Sequence, residues 1–269
     1  MLLRRLGMLL RLLLLLLPVA ALKVLAISQG WEVLRVTPLF AGLVTSNVFL
    51  IGFLFNGVLA DYKESEKCPA LLSLSLLNLD AELQSLSWAQ PEADVTLLQR
   101  GLREVGGAFL EWFHGTVTTA DLHERLDGLN RELAGLRRWC EAPLMARLLQ
   151  EVASLRGQLL RMETIRNVPF VPTVYLLSVL STSFLCTGLA LIRMKDLLEI
   201  VFYLGVIAFL MVFVLLMIWD LDNPFGHGDS FSCENVSLSS LHEAMARLNQ
   251  PSTSGSGLDG SSTLRTDSA

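Results

Sequence analysis

The sequence predicts an all-α, polytopic membrane protein: about four transmembrane helices joined to a cytosolic helical bundle. Three observations predict it. Residues 200–219, IVFYLGVIAFLMVFVLLMIW, carry no charge, and a spanning helix needs roughly 20 apolar residues because the hydrocarbon core is about 30 Å thick. Hydrophobic residues make up 52 % of the chain against 17 % charged, for a mean hydropathy of +0.50, and they are blocked rather than interspersed. Between the blocks, leucines recur at a helical period, and no alternating strand pattern is seen.

The spans follow in order. The first is about 8–28, interrupted by Arg11, Pro18 and Lys23. Two readings stay open for residues 1–21: a cleaved signal peptide, given the basic start, leucine run and small Val19 and Ala21, or a first helix that snorkels its arginines. The second span is about 38–60 and holds Thr45, Ser46, Asn47 and Asn56. Polar residues within a span face protein or water, not lipid. The third and fourth, about 168–192 and 197–219, are joined by a hairpin too short for a domain.

Lys and Arg then orient the chain. More than half of its 21 Lys and Arg fall in 61–167, and Arg4 and Arg5 lead the first span. The other connections hold only Arg35, and Arg193 with Lys195. Both termini and the long middle segment are expected in the cytosol, though which membrane is crossed is open. The organisation is thus 1–62 for spans 1 and 2, 63–167 for the cytosolic helices, and 168–222 for spans 3 and 4. Residues 223–249 follow as a turn and helix, and 250–269 as a Ser/Gly/Thr-rich tail expected to be disordered.

Within 63–167, helices are expected over Lys63–Trp88 and Asp94–His114. Leu122, Leu126, Leu129, Leu133 and Leu136 then form a four–three stripe behind a Thr118–Asp121 cap. Past Pro143, Leu144, Leu148, Val152, Leu155, Leu159 and Met162 continue it. Such stripes serve a bundle core or a coiled coil between subunits.

The remaining chemistry is sparse. A net charge of −5 excludes a nucleic-acid partner of the usual basic kind. Cys68, Cys140, Cys186 and Cys233 are too dispersed for a disulfide framework or zinc site, and His114, His123, His227 and His242 lack metal-ligand spacing. Gly106–Gly107 lies in a helical pattern and weakens it. With no nucleophile elbow or phosphate loop, an enzyme is not expected.

The second span is the informative one. Thr45, Phe49 and Phe53 recur every four residues along one helical face, with Asn56 beside it, and Gly42 and Gly52 permit close helix approach. A phenylalanine stripe serves packing, or it rings an axis shared between subunits. Such a ring gates by dewetting and presents partly positive aromatic edges to anions.

Three segments resemble the bestrophins and bestrophin-like chloride channels, in the manner of a distant bacterial or algal branch. FLIGFLFNGVLADYKESEKCP (49–69) resembles their pore helix. TIRNVPFVPTVYLLSVL (164–180) resembles the lead into their third span. DLDNPFGHGDSFS (220–232) carries the Asn-Pro-Phe-Gly motif at Asn223, Pro224, Phe225 and Gly226. The order of elements agrees over about 1–248, with matching residues in these segments alone.

The resemblance implies a homopentamer with an axial pore conducting chloride, bicarbonate or other small anions. It places Phe49 and Phe53 at two of three neck levels, and Thr45 at the third, where isoleucine is common. Asn56 would be a polar residue adjoining the pore, and Asn223–Gly226 a structural turn. Animal members follow the motif with a dense acidic calcium clasp. Here Asp229 stands alone, with Asp220 and Asp222 upstream, which implies a weakened cation site. Calcium is then a doubtful cofactor, and no other is implied.

Two competing functions remain. One is a non-conducting membrane scaffold whose cytosolic bundle binds a partner. The other is a carrier using Asn47 and Asn56, although the internal repeats common in carriers are missing.

Overall fold

The computed structural model describes residues 2–167, 172–194, 196–222, 224–225 and 235–250. α1 (Leu2–Gln29) continues unbroken past Arg11, Pro18 and Lys23. It ends in a paired-amide turn, Gly30 N–H to the Ile27 carbonyl at 3.3 Å and Trp31 N–H to that of Ala26 at 2.8 Å. Gly30 takes φ +70° there, the left-handed position that glycine fills without strain. α2 (Pro38–Ser65) starts with proline in its first turn, and the Thr37 hydroxyl caps the Phe40 N–H at 3.2 Å.

α3 (Cys68–Ala89), α4 (Thr96–Phe113), α5 (Thr119–Gly135) and α6 (Ala142–Asn167) follow. α7 (Pro172–Ala190) precedes a one-turn α8 (Leu197–Glu199), a π-helical turn over Ile200–Leu204, and α9 (Gly205–Leu221). α10 (Ser239–Leu248) closes the described chain. The expected tail, 250–269, lies outside the described residues beyond Gln250.

Among the described residues, four stretches are long and apolar enough to cross a membrane: Gly7–Gln29, Pro38–Ala89, Ala142–Ala190 and Ile200–Leu221. α2 packs against α7 and α9, and α1 against the same two. The membrane half therefore builds residues 7–29 into its packing, through buried Leu12, Lys23 and Ala26. Its own apolar clusters are small. Ile51, Leu54 and Val58 meet Ile218 and Leu221 at the bundle end, and Leu189, Ile192 and Leu204 meet at the far end.

The bundle is different in kind. α3, α4, α5, α6 and α10 enclose one continuous core. All five leucines of the α5 stripe and its 3₁₀ extension are buried within this single chain, as are Leu148, Val152, Leu155, Leu159 and Met162 of α6. The stripes thus serve the core. At the head of α5, Thr118 and Asp121 close a reciprocal capping box, with the Asp121 N–H donating to the Thr118 hydroxyl at 3.2 Å and the Thr118 N–H to Asp121 at 3.1 Å.

Two expectations need correction. Lys63–Ser65 belong to the end of α2, not to the first bundle helix, which starts at Cys68. Pro69 explains the restart: proline belongs in a helix's first turn, where its missing N–H costs nothing. Gly106 also does more than weaken α4. A Cβ there would collide with Met245 Sδ and meet Leu76 Cδ1 at 3.4 Å, so the bare backbone is what lets α10 seat against α4 and α3.

Candidate functional site: the open face of the second helix

At about 100° per residue, α2 presents two arcs nearly opposite one another. Asn47, Ile51, Leu54 and Val58 are buried on one. Thr45, Phe49, Phe53 and Asn56 are exposed on the other, with Phe49 at 77 % and Phe53 at 65 %. Gly42 and Gly52 share the open arc, and a Cβ on either would meet nothing within 4 Å. Their room for close approach is unused inside one chain.

The two asparagines part company. Asn47 is 4 % exposed. Its Nδ2 donates to the Thr182 hydroxyl at 3.1 Å and contacts Met211 Sδ at 3.7 Å, and its Oδ1 accepts from Ser181 at 2.6 Å. One amide therefore ties α2 to both α7 and α9 and fixes which way Phe49 and Phe53 point. Asn56 stays on the open face. The other polar side chains there satisfy themselves locally: Thr45 donates to the Ala41 carbonyl and Ser46 to that of Gly42, each at 2.9 Å.

At the bundle end, Glu64 forms a two-bond pair with the Arg161 guanidinium of α6, Nε to Oε1 at 2.9 Å. Nearby, Asp61, Tyr62 and Ile165 line a small cavity with Leu221, Asp222 and Pro224. Phe225, 1 % exposed, sits against Trp112 and Phe113 at ring-centroid distances of 5.9 and 5.7 Å. Arg166 covers the outer face of Trp112 at 4.9 Å. The chain leaving α9 is thereby plugged into the bundle core. Asp220 is buried and Asp222 half-buried. Asn223, Gly226 and Asp229 lie outside the described residues. Among the described residues no group of three or more His, Cys, Asp and Glu gathers as for a metal.

A second polar centre at the far end was not foreseen. Lys23, 3 % exposed, reaches the Glu32 carboxylate and the Ile192 carbonyl, each at 2.6 Å. Beside it Leu34 bridges residues 191–193: its N–H donates to the Leu191 carbonyl at 3.3 Å and it accepts from the Arg193 N–H at 2.9 Å. The sequence holds one hint, a lysine isolated in an apolar run with one acid nine residues on. Nothing local points to Ile192.

No protein-family model matches the sequence, and no curated protein does. Solved structures do. A bacterial bestrophin homologue from Klebsiella pneumoniae, solved as a point variant, superposes with a TM-score of 0.76, covering 88 % of this chain and 97 % of that one. The chain has the bestrophin fold. Two further structures of that homologue superpose with TM-scores of 0.73, each covering 87 % of this chain and 95 % or 96 % of theirs. Identities are 16–17 %, so the shared property is the fold. Within it, the protein is an integral membrane protein distantly like the bestrophins.

Proposed function

We propose that this chain is a bestrophin-like anion channel: a homopentamer in which α2 of each copy lines a central axis, passing chloride or bicarbonate down their gradients. Thr45, Phe49 and Phe53 form its neck, with Asn56 on the bundle side. The Lys and Arg distribution puts the bundle and both termini in the cytosol. No residue is assigned a catalytic role.

The observation that carries the proposal is the composition of α2's open face. Its Phe49 and Phe53 are exposed, yet Thr45 and Asn56 share the same arc. An amide inside a span is costly against hydrocarbon and belongs toward protein or water, which favours an axis over lipid. Stacked phenylalanine rings make a narrow, dry constriction, and their edges tolerate an anion. The threonine level is the wetter one.

Purified protein should have the mass of five copies in mild detergent and give anion-selective currents in planar bilayers. Phe49→Ala and Phe53→Ala should each raise the unitary current, on the order of twofold or more, while the assembly mass is unchanged. Absence of any anion-selective current from correctly assembled wild-type protein would overturn the channel. A non-conducting scaffold would then be left.

A further inference from the structure

α2 continues to Ser65, and that length bears on selectivity. The open arc does not stop at Asn56. Gly42, Phe49, Asn56 and Lys63 are spaced by seven residues, and seven residues turn an α-helix to within about 20° of its starting direction. Lys63 is therefore on the neck stripe, still inside α2, and exposed. It lies about 10 Å beyond Asn56 and about 15 Å beyond Phe53 along the helix at roughly 1.5 Å per residue.

We propose that Lys63 is a selectivity-determining residue, forming a ring of ammonium groups at the bundle-side mouth that concentrates anions below the neck. This rests on the channel proposal, since only an axis through α2 turns the stripe into a ring. Rings of basic side chains are a common way for a pore to favour anions. A cleft lined by one sign of charge raises the local concentration of the opposite ion.

The surrounding carboxylates are arranged so as not to cancel it. Glu64, the next residue, is taken by Arg161 of α6 through two hydrogen bonds. Asp61 lines the cavity between α2, α6 and α9 with Tyr62, Ile165 and Asp222, on the far side of the helix from Lys63. In the turn, Glu66 and Lys67 are both exposed and offset one another. With the exposed Glu64 charge offset by Arg161, residues 63–67 keep Lys63 and Lys67 against Glu66, one net positive charge per copy.

The test is planar-bilayer recording of Lys63→Gln, Lys63→Glu and Lys63→Arg beside the wild type and Phe49→Ala. In about 20 mM chloride salt, Lys63→Gln should lower the unitary anion current roughly threefold or more. The deficit should shrink in about 1 M salt, where the screening length falls to about 3 Å. In a tenfold salt gradient Lys63→Glu should move the reversal potential toward that of the cation, and Lys63→Arg should behave as wild type. If Lys63→Glu does not assemble, the low-salt deficit of Lys63→Gln decides. Wild-type reversal potential and low-salt current in Lys63→Gln, with Phe49→Ala still altering current, would overturn the ring and leave the channel standing. So would loss of current in Lys63→Arg as well, because charge would not be what matters. No current from assembled wild type would overturn both.

Discussion

α5 carries a four–three stripe of leucines and α2 a pair of phenylalanines one helical turn apart, and the two end in opposite places. On α5, Leu122, Leu126, Leu129 and Leu133 are buried against α4 and α6. On α2, Phe49 and Phe53 are exposed, while an asparagine lies on the packed side. The difference is one of solvent. In water, burying apolar surface drives packing, so a leucine stripe turns inward. Between membrane helices that drive is absent, because lipid is as apolar as leucine. Close packing and hydrogen bonds decide which face is inside. Asn47 with Ser181 and Thr182, and Lys23 with Glu32, are turned into the interior of the membrane half for that reason.

The strongest test of this contrast is at Lys23. Glu32→Gln leaves an ammonium in a nearly closed site and should cost about 3–5 kcal/mol, whereas Lys23→Met combined with Glu32→Leu should sit close to wild type. Thermal unfolding in detergent reads both, and a wild-type melt for Glu32→Gln would show that the pair does not hold the far end together. Next, Leu126→Ala and Phe49→Ala compare the two stripes directly. The first should lose about 2–5 kcal/mol by opening a cavity. The second should stay within about 0.5 kcal/mol in unfolding of the dissociated protomer. Equal losses would erase the distinction drawn between them.

Gly106→Val should cost about 1–3 kcal/mol through overpacking, with Met245→Ala recovering part of it in the double variant, since the two atoms collide. Simple additivity would place the clash elsewhere. Asn47→Leu should destabilise by roughly 0.6–2 kcal/mol, the range for one interhelical hydrogen-bonding group in a membrane. Accessibility labelling of a cysteine placed at position 49 should then show α2 turned.

The smallest effect concerns Glu132. Its Oε2 is buried without a hydrogen-bond partner among the described residues. Desolvation first, and then the like charge of Glu104, push its carboxyl above the usual carboxylate range. A group with a raised folded-state pKa binds its proton more tightly in the folded protein, so its ionised form costs stability at neutral pH and the cost is relieved as pH falls through that pKa. Glu132→Gln should therefore stabilise by a few tenths to about 1 kcal/mol at pH 7 and flatten the pH dependence of the melt. A destabilised variant would mean the carboxylate has a favourable role.

How much was legible follows the same boundary. The helical stripes of α5 and α6, the Thr118–Asp121 cap and the apolar spans could be read locally, because capping chemistry and hydrophobic period act over a few residues. The Thr45, Phe49 and Phe53 stripe was legible as a stripe, but not the direction it faces, since that depends on Ser181, Thr182 and Met211 more than a hundred residues away. The boundary beyond Lys63 is hard to read locally because the sequence stays helical on both sides of it, and Pro69 is the one local signal of the restart. Gly106 looked like a weakness because its partner, Met245, is on a helix that arrives near the end of the chain.

By itself, then, the sequence determined that this protein is all-helical, crosses a membrane about four times and packs a leucine-lined bundle. Those properties come from local periodicity and from the amount of apolar surface, which any arrangement must respect. Tertiary structure alone decided that Asn47 and Lys23 are interior, that the face carrying Phe49, Phe53 and Asn56 is open and continues to Lys63, and that Arg161 offsets the Glu64 charge beside it. Inside a bilayer, hydrophobicity does not distinguish a helix's packed side from its outer side. Specific hydrogen bonds and ion pairs between distant segments make that choice.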